Sequence, residues 1–357
     1  MTSTLPIRVA LVGFGRAGRA LHTPLVQSTA GFELSVVVSS RPDDVRAHVP
    51  AATVVPSAAA AFAMPDVDLV VVAAPSDTHT AQALRAIEAG KHVVIDKPFA
   101  LSVAAARELA EFASQRGVIA AAFQNRRWDG DFLQLREVVA GGALGGVTHF
   151  ESHIDRYRPD VADRWRERPG RGSGVWVDLG PHLIDQALQL FGLPDRVFGF
   201  LASHRRAART DDYAHVVLEY PRLAAVLHAS MLAAGDGPRF VVHGDRGSWI
   251  KHGVDPQEFE LAKGMGLDVG SPLPESAVTV DGATGARTAT PVPRGHYARF
   301  YELLRDAIRG RRPNPVPPAD AVAVTAVLDA AARSSAERRA LTLQLSDAER
   351  RAFDDSV

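Results

Sequence analysis

The chain contains no cysteine in 357 residues. That excludes disulfides, thiolate nucleophiles and every metal site built with cysteine. Lysine is nearly as scarce: of 40 Lys plus Arg residues only four are lysine (Lys91, Lys97, Lys251 and Lys263), leaving 36 arginines. Arginine therefore carries the ordinary positive charge, and each lysine raises the question of whether its position needs an amine. Net charge is missing too. A formal charge of −1 provides no global positive field for a phosphate backbone, so no nucleic-acid partner is expected. Long apolar runs are also lacking. The run at 69–74 is strand-sized, against about 20 residues for a membrane span, and the N-terminus lacks a basic region followed by an apolar stretch. The expectation is a soluble, cytoplasmic protein with no membrane partner.

At about 150 residues per domain the length fits two domains, and 46% hydrophobic residues can fill two cores. Through residue 123 strand-like runs at 7–12, 34–38, 69–73, 92–95 and 118–123 alternate with helical stretches at 16–28, 78–89 and 104–115. Runs that are apolar at nearly every position fit parallel strands buried on both faces. The alternation predicts βαβ units and an α/β Rossmann dinucleotide-binding domain over 1–123. The rhythm then changes. A helix at 131–140, a glycine-rich turn at 141–146 and a strand at 147–154 lead into an Arg-, Pro- and Gly-rich loop at 155–174. A helix at 178–191 is followed by strand-like runs at 197–202, 214–220, 224–231, 240–243 and 248–251. Strands in succession predict an α+β domain over 124–357 with a large, mainly antiparallel open sheet. Residues 272–294 read as loop, 296–309 and 319–335 as helices, and 341–345 as a last strand.

Gly13-Phe14-Gly15-Arg16-Ala17-Gly18 lies directly between the first strand and the first helix. In that setting the first glycine makes a turn, the second lets backbone approach a pyrophosphate, and the third lets the helix pack on the sheet. Cofactor type depends on the carboxyl end of the second strand. An acidic residue there would accept from the ribose hydroxyls of NAD. Glu33 has the right count but lies at the start of that strand, five steps and roughly 17 Å from its end. At the end stand Ser39, Ser40 and Arg41, two hydroxyls and a guanidinium suited to a 2′-phosphate, with Arg16 as a second contact. The expectation is NADP(H) in preference to NAD(H). Pro75-Ser76-Asp77-Thr78-His79 ends the next long strand and opens a helix, with Ser76 or Asp77 as a helix cap. Pro75, Ser76 and His79 also stand where a cofactor ribose would run.

Asp96-Lys97-Pro98 follows the fifth strand at its carboxyl end, in the crevice where open α/β sheets bind ligands. A cis proline there would fix the Lys97 side chain. An amine can hydrogen-bond a reacting hydroxyl and exchange a proton, whereas a guanidinium stays charged. Lys91, at the other end of the strand, reads as solvated. Asp178, His182 and Asp185 fall at i, i+4 and i+7 on one helix face, with Asp178 at the helix start and Pro181 in the first turn. A histidine one turn from a carboxylate can take and return a proton near neutral pH. No metal site is expected: no third histidine supports Asp178 and His182, and His149 and His153 on one strand face read as packed or surface residues.

Together the glycine turn, Asp96-Lys97-Pro98 and the Asp178/His182 pair resemble the glucose–fructose oxidoreductase/inositol dehydrogenase/MocA (Gfo/Idh/MocA) family. Gln124-Asn125-Arg126-Arg127-Trp128-Asp129, the run 150–159 and the run 174–182 resemble its NADP-dependent scyllo-inositol dehydrogenase-like branch. One departure is Asp96, where the family usually has glutamate. The resemblance implies reversible oxidation of a secondary hydroxyl on a sugar or cyclitol, with a homodimer or homotetramer formed through the open sheet face. Lys97, Asp178 and His182 are the catalytic candidates, and Asp96, Lys97 and Pro98 also border the cofactor. Gln124, Asn125, Arg126, Trp128, Arg156, Tyr157 and Trp176 are substrate-binding candidates, polar groups for hydroxyls and aromatic faces for a ring's C–H side. A sensor on the same fold, binding NADP(H) without turnover, would keep the glycine turn without needing Lys97, Asp178 and His182 together.

Overall fold

A computed structural model describes residues 5–170, 172–235, 237–266 and 269–356. The described residues of Met1–Asn125, Gln257–Leu267 and Tyr297–Val322 form one compact unit, and those of Arg126–Pro256, Asp268–His296 and Ala323–Val357 form a second. The first division falls two residues from the sequence boundary at 123/124, and two later stretches return to the first unit.

The first unit is built on a parallel sheet of β1 (Ile7–Val12), β2 (Phe32–Val38), β3 (Thr53–Val55), β4 (Leu69–Val72), β5 (His92–Ile95) and β6 (Ala120–Ala122), ordered β3-β2-β1-β4-β5-β6. All five neighbouring pairs are parallel. The four residues of β4 are fully buried, which is why the strand reads as an unbroken apolar run. The helix Val103–Arg116 shows how local chemistry sets the boundaries. The Ser102 hydroxyl accepts the Ala105 N–H at 3.2 Å at its start, and Gly117, at φ 64, ends it. The strand order reverses at β1 and β4, which opens a crevice at their carboxyl ends.

The helix after β1 begins with a π-helical segment, Gly18–His22, before the α-helix Thr23–Ser28. Pro24 has no N–H to give the preceding turn, a recognised cause of such irregularity. His22 lies at the end of this segment, fully buried, its Nδ1 2.7 Å from Tyr301 Oη and its ring 4.2 Å from that of Phe123. Burial lowers its pKa to about 4 and raises that of Tyr301. Tyr301 therefore keeps its proton and can donate it to Nδ1. Between pH 6.5 and about 4 the unfolded chain takes up a proton at His22 that the folded chain refuses. Stability from the neutral ring is complete above 6.5 and is lost as pH falls through that window. Urea unfolding should show the wild type losing about 3 kcal/mol more than His22→Gln on acidification from 6.5 to 4; equal losses would refute this.

The second unit holds an eight-stranded sheet made of β7 (Val147–His153), β8 (Arg196–Ala202), β9 (Tyr213–Glu219), β10 (Ala224–Ser230), β11 (Pro238–Gly244), β12 (Gly247–His252), β13 (Ala277–Asp281) and β14 (Arg287–Thr290). Its order is β14-β13-β12-β11-β7-β10-β9-β8, antiparallel except for the β7/β10 pair. Alternate residues such as Phe150, Leu227 and Val216 pack with Leu183, Ile184 and Ala187 of the helix Val175–Phe191 in one core. The fold is therefore a Rossmann unit and an α+β unit with a mainly antiparallel sheet. No described helix is long and apolar enough to cross a membrane.

Several local expectations are corrected. Residues 272–294 contain the β13/β14 hairpin, whose outer strand is wholly exposed and so carries no apolar signature. Residues 341–345 form no strand. Leu341 makes a single bridge to Val197, and Ser346 caps the helix Asp347–Asp354 through a reciprocal pair with Glu349. Lys91 is buried, and its Nζ donates to Met64 O at 2.8 Å. Lys251 is also buried, its ammonium donating to the carbonyls of His252 and Gly253.

Candidate active site

The glycine turn follows β1 at the carboxyl edge of the parallel sheet, and its three glycines have different steric surroundings. Gly13 has φ 98, and a Cβ there would lie 2.7 Å from Ala73 O. Gly18 meets the turn itself: a Cβ would lie 2.1 Å from Gly13 O. At Gly15 a Cβ would meet nothing within 4 Å. One glycine thus makes the turn, one lets the helix close on it, and the middle one leaves an open backbone face. This fits a dinucleotide pyrophosphate.

The Gly13 N–H donates to Val38 O at 3.2 Å, which brings the end of β2 beside the turn. There Ser39 Oγ accepts the Arg41 N–H at 3.0 Å, and Arg41 Nη2 donates to Phe14 O at 2.8 Å. Phe14 itself is buried, and Ser40 is exposed between them. Glu33 pairs in register with Arg8 at the opposite end of β2, as its sequence position required. Sequence reading missed Asp44, which lies 3.5 Å from Arg41 and 3.6 Å from Arg19, one carboxylate between two guanidiniums. Arg16, exposed in the same turn as Ala17, lies 3.5 Å from Glu258.

Lys97 follows β5 at the same edge, half-buried. The Lys97–Pro98 peptide is cis. Asp96 is buried and its Oδ1 accepts the Lys97 backbone N–H at 2.8 Å. Behind it stands His22, with Nε2 4.0 Å from Asp96 Oδ1. His79, a cofactor candidate, is held by backbone. It is buried, with Nδ1 2.9 Å from Pro98 O and Nε2 2.8 Å from Ala74 O. Both nitrogens face backbone, tying the end of β4 to the turn that carries Lys97. Neither Ser76 nor Asp77 caps the helix: Thr78 stands at its N-cap position without a side-chain capping bond, its hydroxyl donating to Pro75 O at 2.8 Å. Ser76 is buried, as are Gln124 and Asn125 just after β6.

In the second unit the helix carrying Asp178 and His182 starts at Val175, three residues earlier than expected. Its first turn is held by Asp211, whose backbone oxygen accepts the Val175 N–H at 2.8 Å and whose Oδ2 accepts the Trp176 N–H at 2.7 Å. Gly174, at φ 95, makes room: a Cβ would sit 2.0 Å from Asp211 Oδ1. Pro181 is consequently inside the helix and not in its first turn. His182 is buried, one turn beyond Asp178. Asp178 Oδ1 is 3.2 Å from Arg166 Nε and its Oδ2 is 3.7 Å from Arg156 Nη1, so two arginines of the 155–174 loop converge on it. Arg166 escaped sequence reading because no spacing ties it to the helix. Asp185, third on the same face, is taken by Arg127 in a buried bidentate pair at 2.8 and 2.6 Å.

The remaining substrate candidates separate. Trp128 is half-buried and Tyr157 is exposed. Arg126 is buried against Asp129 at 3.2 Å, and its carbonyl accepts from Gln186. Trp176 is a correction. It is 1% exposed inside the second core, and its indole N–H donates to Leu328 O at 3.1 Å. Its ring has no free face for a substrate.

A parallel sheet with an open glycine turn and a lysine at its carboxyl edge, joined to an α+β unit, defines a dinucleotide-binding oxidoreductase. The chain belongs to the Gfo/Idh/MocA family. Residues 7–123 match the oxidoreductase family model with an NAD-binding Rossmann fold, and residues 132–250 match the GFO/IDH/MocA C-terminal domain. It is 45% identical to the uncharacterized oxidoreductase YdgJ of Escherichia coli K12 over 94% of this chain and 99% of that one. It is 34% identical to scyllo-inositol 2-dehydrogenase (NADP(+)) IolW of Bacillus subtilis 168 over 95% of this chain and 96% of that one. A solved oxidoreductase from Klebsiella pneumoniae superposes with a TM-score of 0.91 at 46% identity, covering 98% of each chain.

Proposed function

We propose that this oxidoreductase interconverts a secondary alcohol and a ketone on a sugar or cyclitol, using NADP(H). The observation that carries the reading is Lys97, an amine in an arginine-rich chain, held at the carboxyl edge that also bears the open glycine turn. A bound nicotinamide would supply the hydride transfer to or from the carbinol carbon. The turn Gly13–Gly18 would hold the pyrophosphate through backbone N–H groups. Lys97 would donate a hydrogen bond to the reacting oxygen, polarising the carbonyl in the reducing direction. His182 would accept the hydroxyl proton in oxidation and return it in reduction, with Asp178 held by Arg156 and Arg166 on the same helix. Gln124, Asn125, Trp128 and Tyr157 would contribute polar groups and ring faces to a polyhydroxylated substrate. The relation to IolW supports a cyclitol among the substrates to try.

The NADP(H) preference is argued from Ser39, Ser40 and Arg41 directly after β2, with Asp44 3.5 Å from the Arg41 guanidinium. Arg41→Asp is expected to raise KM for NADP⁺ roughly ten- to a hundredfold, the worth of a charge-assisted hydrogen bond. KM for NAD⁺ should change far less. An unchanged ratio of the two in steady-state kinetics would sink the preference. The reaction itself is tested by following NADPH absorbance with a panel of inositols, inososes and aldoses. Binding of NADPH without turnover of any of them would instead identify a sensor.

A further inference from the structure

The open face of the eight-stranded sheet carries a cluster of histidines. Along β7, Phe150 and Ser152 point into the core, so His149, Glu151 and His153 share the other face. The strand pairing extends this row. His153 stands opposite His228 of β10, and His228 stands opposite His215 of β9. The rings of His153 and His228 are 5.0 Å apart, and those of His215 and His228 are 5.8 Å apart. Just beyond β7, Asp155 turns its carboxylate between the first two: Oδ2 is 3.6 Å from His153 Nδ1, and Oδ1 is 3.5 Å from His228 Nε2. Ligand atoms of His153, Asp155 and His228 all lie within 4.8 Å of one another.

We propose that His153, Asp155 and His228 bind a divalent transition-metal cation of the Zn²⁺ type. Zn–N and Zn–O bonds of about 2.0–2.1 Å in a tetrahedron put neighbouring ligand atoms about 3.4 Å apart. The contacts at 3.5 and 3.6 Å, one from each oxygen of the Asp155 carboxylate, are near that separation. His153 Nε2 is 2.8 Å from Glu151 Oε2, and its Nδ1 faces Asp155 Oδ2 at 3.6 Å. Asp155 Oδ1 is buried and makes no hydrogen bond. Glu151 would then orient His153 from behind, the usual carboxylate–histidine–metal arrangement. Two nitrogens and one carboxylate oxygen suit Zn²⁺ with water in the fourth position.

The ligands have a structural consequence. They span β7 and β10, the parallel pair within an otherwise antiparallel sheet, and a cation would cross-link strands whose pairing is slightly weaker per residue. His153 and His228 occupy the face of the sheet opposite the helix that bears Asp178 and His182.

The experiment is calorimetric titration of chelator-treated, full-length protein with Zn²⁺, with the visible bands of Co²⁺ as a second probe of a tetrahedral N/O site. One equivalent per chain is expected. His228→Ala and Asp155→Asn should each weaken binding at least tenfold, and Glu151→Gln roughly tenfold to a hundredfold, the cost of losing an outer-shell partner. His215→Ala, which lies outside the ligand set, should bind as wild type does. Circular dichroism of each variant establishes that it folds, and Asp155→Asn preserves side-chain shape if His228→Ala does not fold. Failure of the wild type to bind one equivalent overturns the proposal, as does binding unchanged in both His228→Ala and Asp155→Asn.

Discussion

Lys97→Met is expected to lower kcat roughly 10²- to 10⁴-fold, the range for loss of a positioned acid–base group. Binding of NADPH, read by fluorescence titration, should weaken by no more than about tenfold, because one hydrogen bond to the cofactor is worth about 1 kcal/mol. Two features of the fold support this separation. The pyrophosphate turn follows β1 while Lys97 follows β5, and the lysine backbone is fixed independently by Asp96 and by the His79 contact with Pro98. The Lys97→Arg variant should not restore activity: a guanidinium is larger, planar and cannot give up its proton. His182→Asn should show a comparable loss. If the two residues serve one reacting oxygen, the double variant will be little worse than the poorer single variant, because groups acting as a unit are not additive. Losses that multiply would mean that they serve different steps. A Lys97→Met enzyme with wild-type kcat would end the catalytic reading of this residue.

The candidate residues legible in the sequence are those encoded locally. Gly13, Gly15 and Gly18 are spaced along one turn, Lys97 sits directly after an apolar strand, and Asp178 and His182 are one helical turn apart. Each signal lies within a few residues, although the helix of Asp178 and His182 starts earlier, at Val175. Long-range partners had no such signal. Asp211 caps the helix of His182 from 36 residues beyond Val175, and Tyr301 reaches back to His22 across 279 positions. The row of His153, His228 and His215 exists only through strand pairing, which sequence periodicity does not reveal. The lysines make the same point. Lys91, which reads as solvated, and Lys251, which stands in no motif, are both buried and hydrogen-bonded to backbone carbonyls. A compact ammonium suits such a pocket where a planar guanidinium does not. Scarcity alone therefore did not single out Lys97: two of the other three lysines are buried for packing, and Lys263 is exposed.

Trp176 separates a packing role from a binding role most sharply, because a ring next to Asp178 can read as either. Its surroundings decide the matter: the ring is 1% exposed, its N–H donates to Leu328 O, and a Cβ on Gly180 would stand 2.8 Å from its Cε3. Trp176→Ala should therefore destabilise the protein by about 3–5 kcal/mol, the range for emptying a large aromatic site in a core. Gly180→Ala should cost about 1–3 kcal/mol by overfilling the same site. Trp176→Phe keeps most of the volume and loses the hydrogen bond, so it should fall between wild type and alanine. Urea unfolding followed by far-ultraviolet circular dichroism gives all three values. At a temperature where each variant remains folded, KM for the sugar or cyclitol substrate should stay close to wild type in Trp176→Phe. If KM rises severalfold while stability is unchanged, the ring faces substrate and the packing assignment is wrong. The converse is expected, because a side chain sealed between Gly180 and Leu328 acts on the site only by holding straight the helix that carries Asp178 and His182.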